Sequence, residues 1–425
     1  MKNRNAVVIG GGIAGLTAAI FLARSGKSVT VYEKARAIGG RATTEMRQGF
    51  HFNLGPHALY SDGYGANILR ELGVKFTGEK PGATGSFAVS RGRKHTFPNG
   101  GVALMTTSLL GFAAKMEAAA LFSKVGKINA AAIQHLTINE WLAKEIRQSE
   151  VKDLICTLFR VSSYANAPDL MSAGAAVAQL QLALAGNVYY LDGGWQTIVD
   201  GLRVTAKNIG VKILPGIKAE KIIGEKTVEG VRLSDESFHE APVVIAACAP
   251  VEVGELLENG NQTEVAGWAK KAIPVKAACL DLALKSLPQP RTTFALSVDA
   301  PLYFSVHSEQ AKLAPNGGAM IHAAKYLAPD AKESAKSVEQ ELESFLDLLQ
   351  PGWRDALIER RFLPGMTVAN AIVDAKRGGF AGRPEPAVTS LTGLFVAGDW
   401  VGAEGMLADA SFASAKLAAQ LAKQL

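Results

Sequence analysis

The chain has 425 residues, 48% hydrophobic and 20% charged, which excludes a disordered protein and leaves room for two or three domains. Forty-five Lys and Arg against 39 Asp and Glu give +6, too mild over this length to argue for nucleic acid, and no basic run makes up for it. Glycine, at 43 residues, exceeds its average share of about 7%, which suits a backbone that comes close to a ligand.

The start, Met1-Lys2-Asn3-Arg4-Asn5, is basic, but glycines interrupt the apolar run behind it, unlike a signal-peptide core. Ala6, Val7, Val8 and Ile9 predict a buried parallel strand. Gly10-Gly11-Gly12-Ile13-Ala14-Gly15 follows, with Gly10, Gly12 and Gly15 in GxGxxG spacing. Ile13, Leu16, Ile20 and Ala23 then share one helical face, and Gly26 is placed to stop the helix. Val29, Thr30, Val31 and Tyr32 predict a second strand ending at Glu33.

Strand, glycine turn, helix, strand and acid in this order make a dinucleotide-binding unit. Gly10 makes the turn, Gly12 admits a pyrophosphate, and Gly15 lets helix and strand pack closely. The helix start at Ile13 and Ala14 faces the phosphate charge. Glu33, with Lys34 beside it, stands where a carboxylate accepts ribose hydroxyls; as a strand-end acid at the surface it is expected to matter little to the fold. In Ile38-Gly39-Gly40-Arg41 the paired glycines allow a second close turn, and Arg41 can place a guanidinium near phosphate.

GxGxxG, an acid after the second strand, then GGR: this start resembles that of the flavin amine oxidase superfamily, which includes monoamine oxidases, protoporphyrinogen oxidases and phytoene desaturase-type carotenoid enzymes. The resemblance implies FAD as cofactor. Nicotinamide Rossmann enzymes share the first motif but normally lack GGR. In Asn53-Leu54-Gly55-Pro56-His57, His57 falls where protoporphyrinogen oxidases resemble GPR, with an arginine facing the substrate. Its imidazole would bind an anion or exchange a proton near neutrality, and a loop histidine without function is the alternative.

Helical patterns follow at 109–125 and 138–159. Two uncharged stretches, 96–114 and 170–191, are broken by Pro98 and Asn99, and by Gln179, Gln181 and Asn187. Neither offers the ~20 mostly apolar residues of a spanning helix, so both are expected to be buried helices of a protein at most peripheral to a membrane. The stretch from 173 to 190 would line a greasy pocket or be ordinary core.

Asp192-Gly193-Gly194-Trp195 looks like the entry to the helix that returns the chain to the FAD domain in protoporphyrinogen oxidases and carotenoid desaturases. Short strands are expected at 211–213, 219–222 and 243–247, and the resemblance implies that the backbone at Ala219 holds adenine. The stretches 277–284 and 302–306 are rich in strand formers. Lys276 precedes the first of them, where amine oxidases place a lysine that contacts flavin N5 through water; a solvent lysine at a strand end is the alternative.

Gly393 to Ala397 read as a buried strand, with Gly398 and Asp399 at its end. Glu404-Gly405-Met406 then leads into a small-residue helix, resembling the superfamily's closing motif with Met406 where Ala is usual. Asp399 would take a hydroxyl of the cofactor's sugar-alcohol chain, and the helix start at Gly405 and Met406 would favour negative charge on the flavin. One aromatic cage position of amine oxidases corresponds to Gly402, which counts against an amine substrate.

The expected architecture is α/β: a Rossmann-like FAD-binding domain built from residues 1–80, 191–250 and 389–425, and a mixed α+β substrate domain from 81–190 and 251–388. The expected function is FAD-dependent oxidation or desaturation of a hydrophobic substrate, isoprenoid, carotenoid-like or tetrapyrrole-like, by hydride transfer to flavin N5. No second GxGxxG is present, so electrons would pass to oxygen, a quinone or another diffusible acceptor. An amine oxidase and a non-catalytic flavin-binding protein are the alternatives. Cys156, Cys248 and Cys279 are odd in number and form no CxxC, which suggests a cytoplasmic setting; the seven histidines form no HExxH, and no metal is expected.

Overall fold

Short runs of Val, Ile and Ala with no polar face can only be strands that are covered on both sides. In the computed structural model, which describes residues 4–82, 84–258, 260 and 263–425, such runs form the middle of a five-stranded parallel sheet whose edge strand, Lys212–Pro215, is largely exposed. The basic start at residues 1–3 lies outside the described residues. Asn5–Ile9 is central, with Ser28–Glu33 and then Lys212–Pro215 on one side, and Val243–Ala246 and then Leu394–Val396 on the other.

Three distant stretches of chain thus build one Rossmann-like sheet. Ala6 and Val8 point into a core shared with the helices Ile13–Arg24, Gln196–Asn208 and Leu407–Ala422. Val7 and Ile9 point the other way, toward the small antiparallel sheet of Ala219–Ile223, Gly230–Leu233 and Phe238–Glu240.

A second, mixed sheet has seven strands in the order Leu357–Ala369, Val275–Leu284, Ala319–Leu327, Leu302–Val306, Phe294–Ser297, Ser86–Ser90 and Arg93–Thr96. Helix Ala335–Leu349 packs on one face, and a helical layer that includes Ser149–Ser163 and Ala173–Gly186 packs on the other.

Two helical expectations are corrected. The stretch 138–159 is not one helix but two, Ile138–Glu145 and Ser149–Ser163. Glu117 accepts the amides of Arg147 and Gln148, both at 2.8 Å, and holds the chain extended between them. The stretch 96–114 is not a buried helix: it carries the short helix Gly101–Thr106 with most of its side chains exposed, then leads into Phe112–Val125. The other uncharged stretch does bury its helix, Ala173–Gly186.

Candidate cofactor and substrate site

Gly12 caps the helix Ile13–Arg24 with backbone alone, so the first amides of the helix stay free for a ligand. A Cβ on Gly12 would find its nearest protein atom, Gly39 O, 3.8 Å away. The space in front of it is therefore empty of protein. Gly15 differs: a Cβ there would lie 1.8 Å from Gly10 O, so this glycine serves helix–strand packing, as its spacing predicts. Gly12 and Gly39 form a parallel bridge, which sets the GGR turn beside the first glycine turn.

Glu33 is buried, contrary to the expectation of a surface acid. One carboxylate oxygen accepts Gly11 N–H at 2.7 Å and the other accepts Ala35 N–H at 2.8 Å. A parallel strand that ends under a glycine turn directs its terminal side chain at the amides of that turn. Lys34 turns outward to an ion pair with Glu252 at 2.5 Å. Ala219 lies at the same end, within the run of Lys218, Glu220 and Lys221.

Arg41 is paired through one end of its guanidinium. Its Nη1 sits 2.6 Å from Asp399 Oδ2 and also donates to Val368 O at 2.8 Å. Asp399 Oδ1 accepts from the backbone and side chain of Asn370 at 3.2 and 3.0 Å. Each residue was expected to face the cofactor separately; both line the cavity, joined.

Most of these groups border one cavity of about 890 Å³, at the upper end of the ~300–1,000 Å³ typical of ligand pockets. Gly10, Gly12, Ile13, Ala14, Glu33, Lys34, Gly39, Gly40, Arg41, Ala219, Gly398 and Asp399 all line it. Gly15, Gly405 and Met406 do not line it; Met406 caps the last helix and faces a small adjoining pocket with Ser163 and Met171. The next residue, Leu407, does line the cavity, and it has φ +55°, a left-handed conformation that costs a non-glycine residue about 1–3 kcal/mol. Arg383 grips this loop through the carbonyls of Asp399 and Gly405, at 3.3 and 2.5 Å.

Beyond the glycine cradle the wall changes to Pro56, His57, Leu59, Tyr60, Tyr164, Trp195, Leu363 and Met366. Both phenols are already spent: Tyr60 donates to Ser162 O at 3.0 Å and Tyr164 to Pro56 O at 2.6 Å. His57 packs edge-on to Trp195, and its Nδ1 lies 3.1 Å from Gly55 O. Burial, with the charge of His322 as a smaller cause, lowers its pKa to about 4. His57 is thus neutral at pH 7, which corrects the expectation of an imidazole titrating near neutrality. Lys276 is exposed and is not among the residues lining the cavity, so the solvent-lysine alternative holds.

Sequence reasoning missed Asp409. It sits in the first turn of Leu407–Ala422 and lines the cavity while its Oδ1 accepts Gly65 N–H at 2.7 Å. Its Oδ2 has no partner, and burial raises its pKa to about 6. A lone acid in an alanine-rich helix carries no motif.

A buried cluster behind Gly55 was also missed. Asp281 accepts from His322 Nδ1 at 2.5 Å and from Arg361 Nη2 at 2.6 Å, and Cys279 Sγ lies 3.0 Å from it. Arg361 also donates to Asn53 O, bracing the segment that carries His57. Cys279, Asp281 and His322 bring three donor atoms within 4.8 Å, with the Asp281 carboxylate already shared between two cations or donors. Strand pairing assembles this rung across positions 281, 322 and 361, which no sequence spacing reveals.

Residues 8–72 match the family described as NAD(P)-binding Rossmann-like domain. Among solved structures, an oxidoreductase from Methanosarcina mazei aligns over 99% of this chain and 100% of its own, with TM-score 0.77 and 19% identity. A protein from Exiguobacterium provisionally assigned as a protoporphyrinogen oxidase covers 100% of this chain and 99% of its own, with TM-score 0.72 and 17% identity. Putrescine oxidase, in a structure bound to putrescine, covers 99% and 98%, with TM-score 0.73 and 15% identity. The chain shares with these structures a mixed α/β fold that contains a Rossmann-like domain. Sequence similarity to curated proteins is local: the 4,4'-diaponeurosporene oxygenase of Staphylococcus aureus is 46% identical over 56 residues, 13% of this chain and 11% of that protein. The equivalent protein of Staphylococcus haemolyticus is 44% identical over 59 residues, 14% and 12%.

Proposed function

We propose that the chain is an FAD-dependent oxidoreductase that oxidises or desaturates a hydrophobic, isoprenoid-like or tetrapyrrole-like substrate. The observation that carries this reading is the single cavity running from a glycine cradle to a wall of apolar and aromatic side chains. Gly12, Gly39 and Gly40 would hold the pyrophosphate, Glu33 and Ala219 the adenosine, and the Asp399 and Leu407 region the flavin. Bound FAD would supply hydride acceptance at N5, with oxygen, a quinone or another diffusible acceptor taking the electrons onward.

The protein's part is alignment and exclusion of water. Leu59, Leu363 and Met366 offer no charge to a substrate, and His57 and the two phenols are neutral there at pH 7. Asp409, with its pKa near 6, is mostly ionised at pH 7 and is held through Oδ1 by Gly65 N–H, while the apolar and aromatic side chains that make up the rest of this wall match an apolar substrate. In this reading residues 81–190 and 251–388 form the substrate domain, and 1–80, 191–250 and 389–425 the cofactor domain. Anaerobic bleaching of the bound flavin tests the proposal: polyenes or tetrapyrroles should bleach it, and bleaching by primary amines alone would overturn it.

A further inference from the structure

The stretch expected to be buried, 96–114, instead forms an apolar prow. Val102 is 81% exposed, Met105 47%, Phe112 75% and Met116 51%. Val102 and Met105 are three apart on helix Gly101–Thr106, and Phe112 and Met116 are four apart on Phe112–Val125, so each pair makes a ridge along one helix face. Lys115 Nζ donates to Met105 O at 2.9 Å and ties the two helices together. Exposed large apolar side chains that gather in this way mark an interaction surface.

The charge carried by the same stretch of chain says what covers the prow. Residues 91–127 hold Arg91, Arg93, Lys94, Lys115, Lys124 and Lys127 against one acid, Glu117, which leaves +5 in a chain whose total is +6. Glu117 is spent on the amides of Arg147 and Gln148. The hairpin bearing Arg93 and Lys94 lies against the helix pair through Thr107 Oγ1 to Thr96 O at 2.7 Å and His95 to Ser108 at 2.8 Å. None of the six basic residues forms an ion pair among the described residues.

We infer that this face docks on an anionic lipid surface, with Val102, Met105, Phe112 and Met116 entering the headgroup layer and the surrounding Lys and Arg meeting its charge. Amphipathic helices with bulky apolar residues and flanking basic ones bind membranes by this combination. A second copy of the same face is disfavoured, because like charges would confront each other. No helix among the described residues is long and apolar enough to cross a membrane, so the contact is one of lying on the surface. The inference stands apart from the cavity's cofactor, since it is read without turnover.

Flotation of the purified protein with vesicles tests it, comparing phosphatidylcholine alone with a mixture containing roughly one-third phosphatidylglycerol. The protein should float with the anionic vesicles and stay down with the neutral ones, and added salt should weaken the binding. Phe112→Asp with Met116→Asp, at exposed positions that leave the core intact, should reduce flotation on the order of tenfold. Lys124→Glu with Lys127→Glu should also weaken it. A folded protein that ignores anionic vesicles would overturn the inference, as would unchanged flotation of the aspartate variant. A dimer in sedimentation analysis that the aspartate variant splits, without vesicle binding, would assign the face to a second copy and overturn it equally.

Discussion

Arg41 and Asp399, 358 positions apart, meet at 2.6 Å on the cavity wall. The pair joins the GGR turn to the end of the last strand and closes the site from pieces at opposite ends of the chain. Asp399 is almost fully buried while Arg41 is part-exposed, so the pair presents its guanidinium side to solvent. A flavin sugar-alcohol chain that bonds Asp399 would share it with Arg41 and Asn370.

Glu33→Ala removes the acceptor for two amides as well as any ribose contact. The variant should lose FAD affinity by the ~1.5–3 kcal/mol of a charged hydrogen bond, and its thermal midpoint should fall too, because Gly11 N–H is left buried and unpaired. Glu33→Gln, which keeps one acceptor, should recover part of both. Thermal melts and flavin retention after gel filtration measure the two effects; a variant with unchanged stability would mean the glycine turn holds itself.

Asp409 gives a pH dependence of definite sign. Its carboxyl titrates near 6 in the folded chain instead of at its ordinary 3.8, so the folded state keeps a proton that the unfolded state loses. Stability therefore falls as pH rises from about 4 to 6, by up to ~3 kcal/mol, and the loss is complete above that window. Asp409→Asn should retain an acceptor for Gly65 N–H and melt higher than the parent at pH 8, with the gap closing at pH 4. A gap independent of pH would assign the effect to packing.

Lys276→Met should change neither flavin reduction nor reoxidation by oxygen, because the side chain is exposed and lies outside the cavity lining. Stopped-flow traces on parent and variant check this. Slowed reoxidation would bring the lysine back to the flavin and revive the amine reading.

The Rossmann-like sheet was legible because its signals are local. Ala6 to Ile9, the three glycines and Glu33 lie within one βαβ unit, and the strand before Asp399 announces itself by its apolar run. What escaped depends on partners that the sequence does not juxtapose. The broken helix at 146–148 is held by Glu117, thirty residues away. Cys279, Asp281, His322 and Arg361 meet only through strand register. The prow at 102–116 has core-like composition, and only the packing shows that its ridge is left exposed among the described residues. The burial that makes His57 neutral likewise comes from surrounding groups, including Trp195 and Gly55, rather than from its own motif.

The emptiness in front of Gly12 is the feature on which cofactor binding most depends. Gly12→Val places its side chain where the nearest protein atom is 3.8 Å from the Cβ, so the fold should tolerate it while a pyrophosphate cannot enter. Gly15→Ala, whose Cβ would meet Gly10 O at 1.8 Å, should instead damage the fold itself. Calorimetric titration of FAD into the parent and the Gly12→Val apoproteins measures the difference. The parent should bind FAD tightly and one-to-one, and the folded Gly12→Val variant should bind none. A parent that binds NADH tightly and FAD not at all, or a variant that binds FAD as well as the parent, would contradict this.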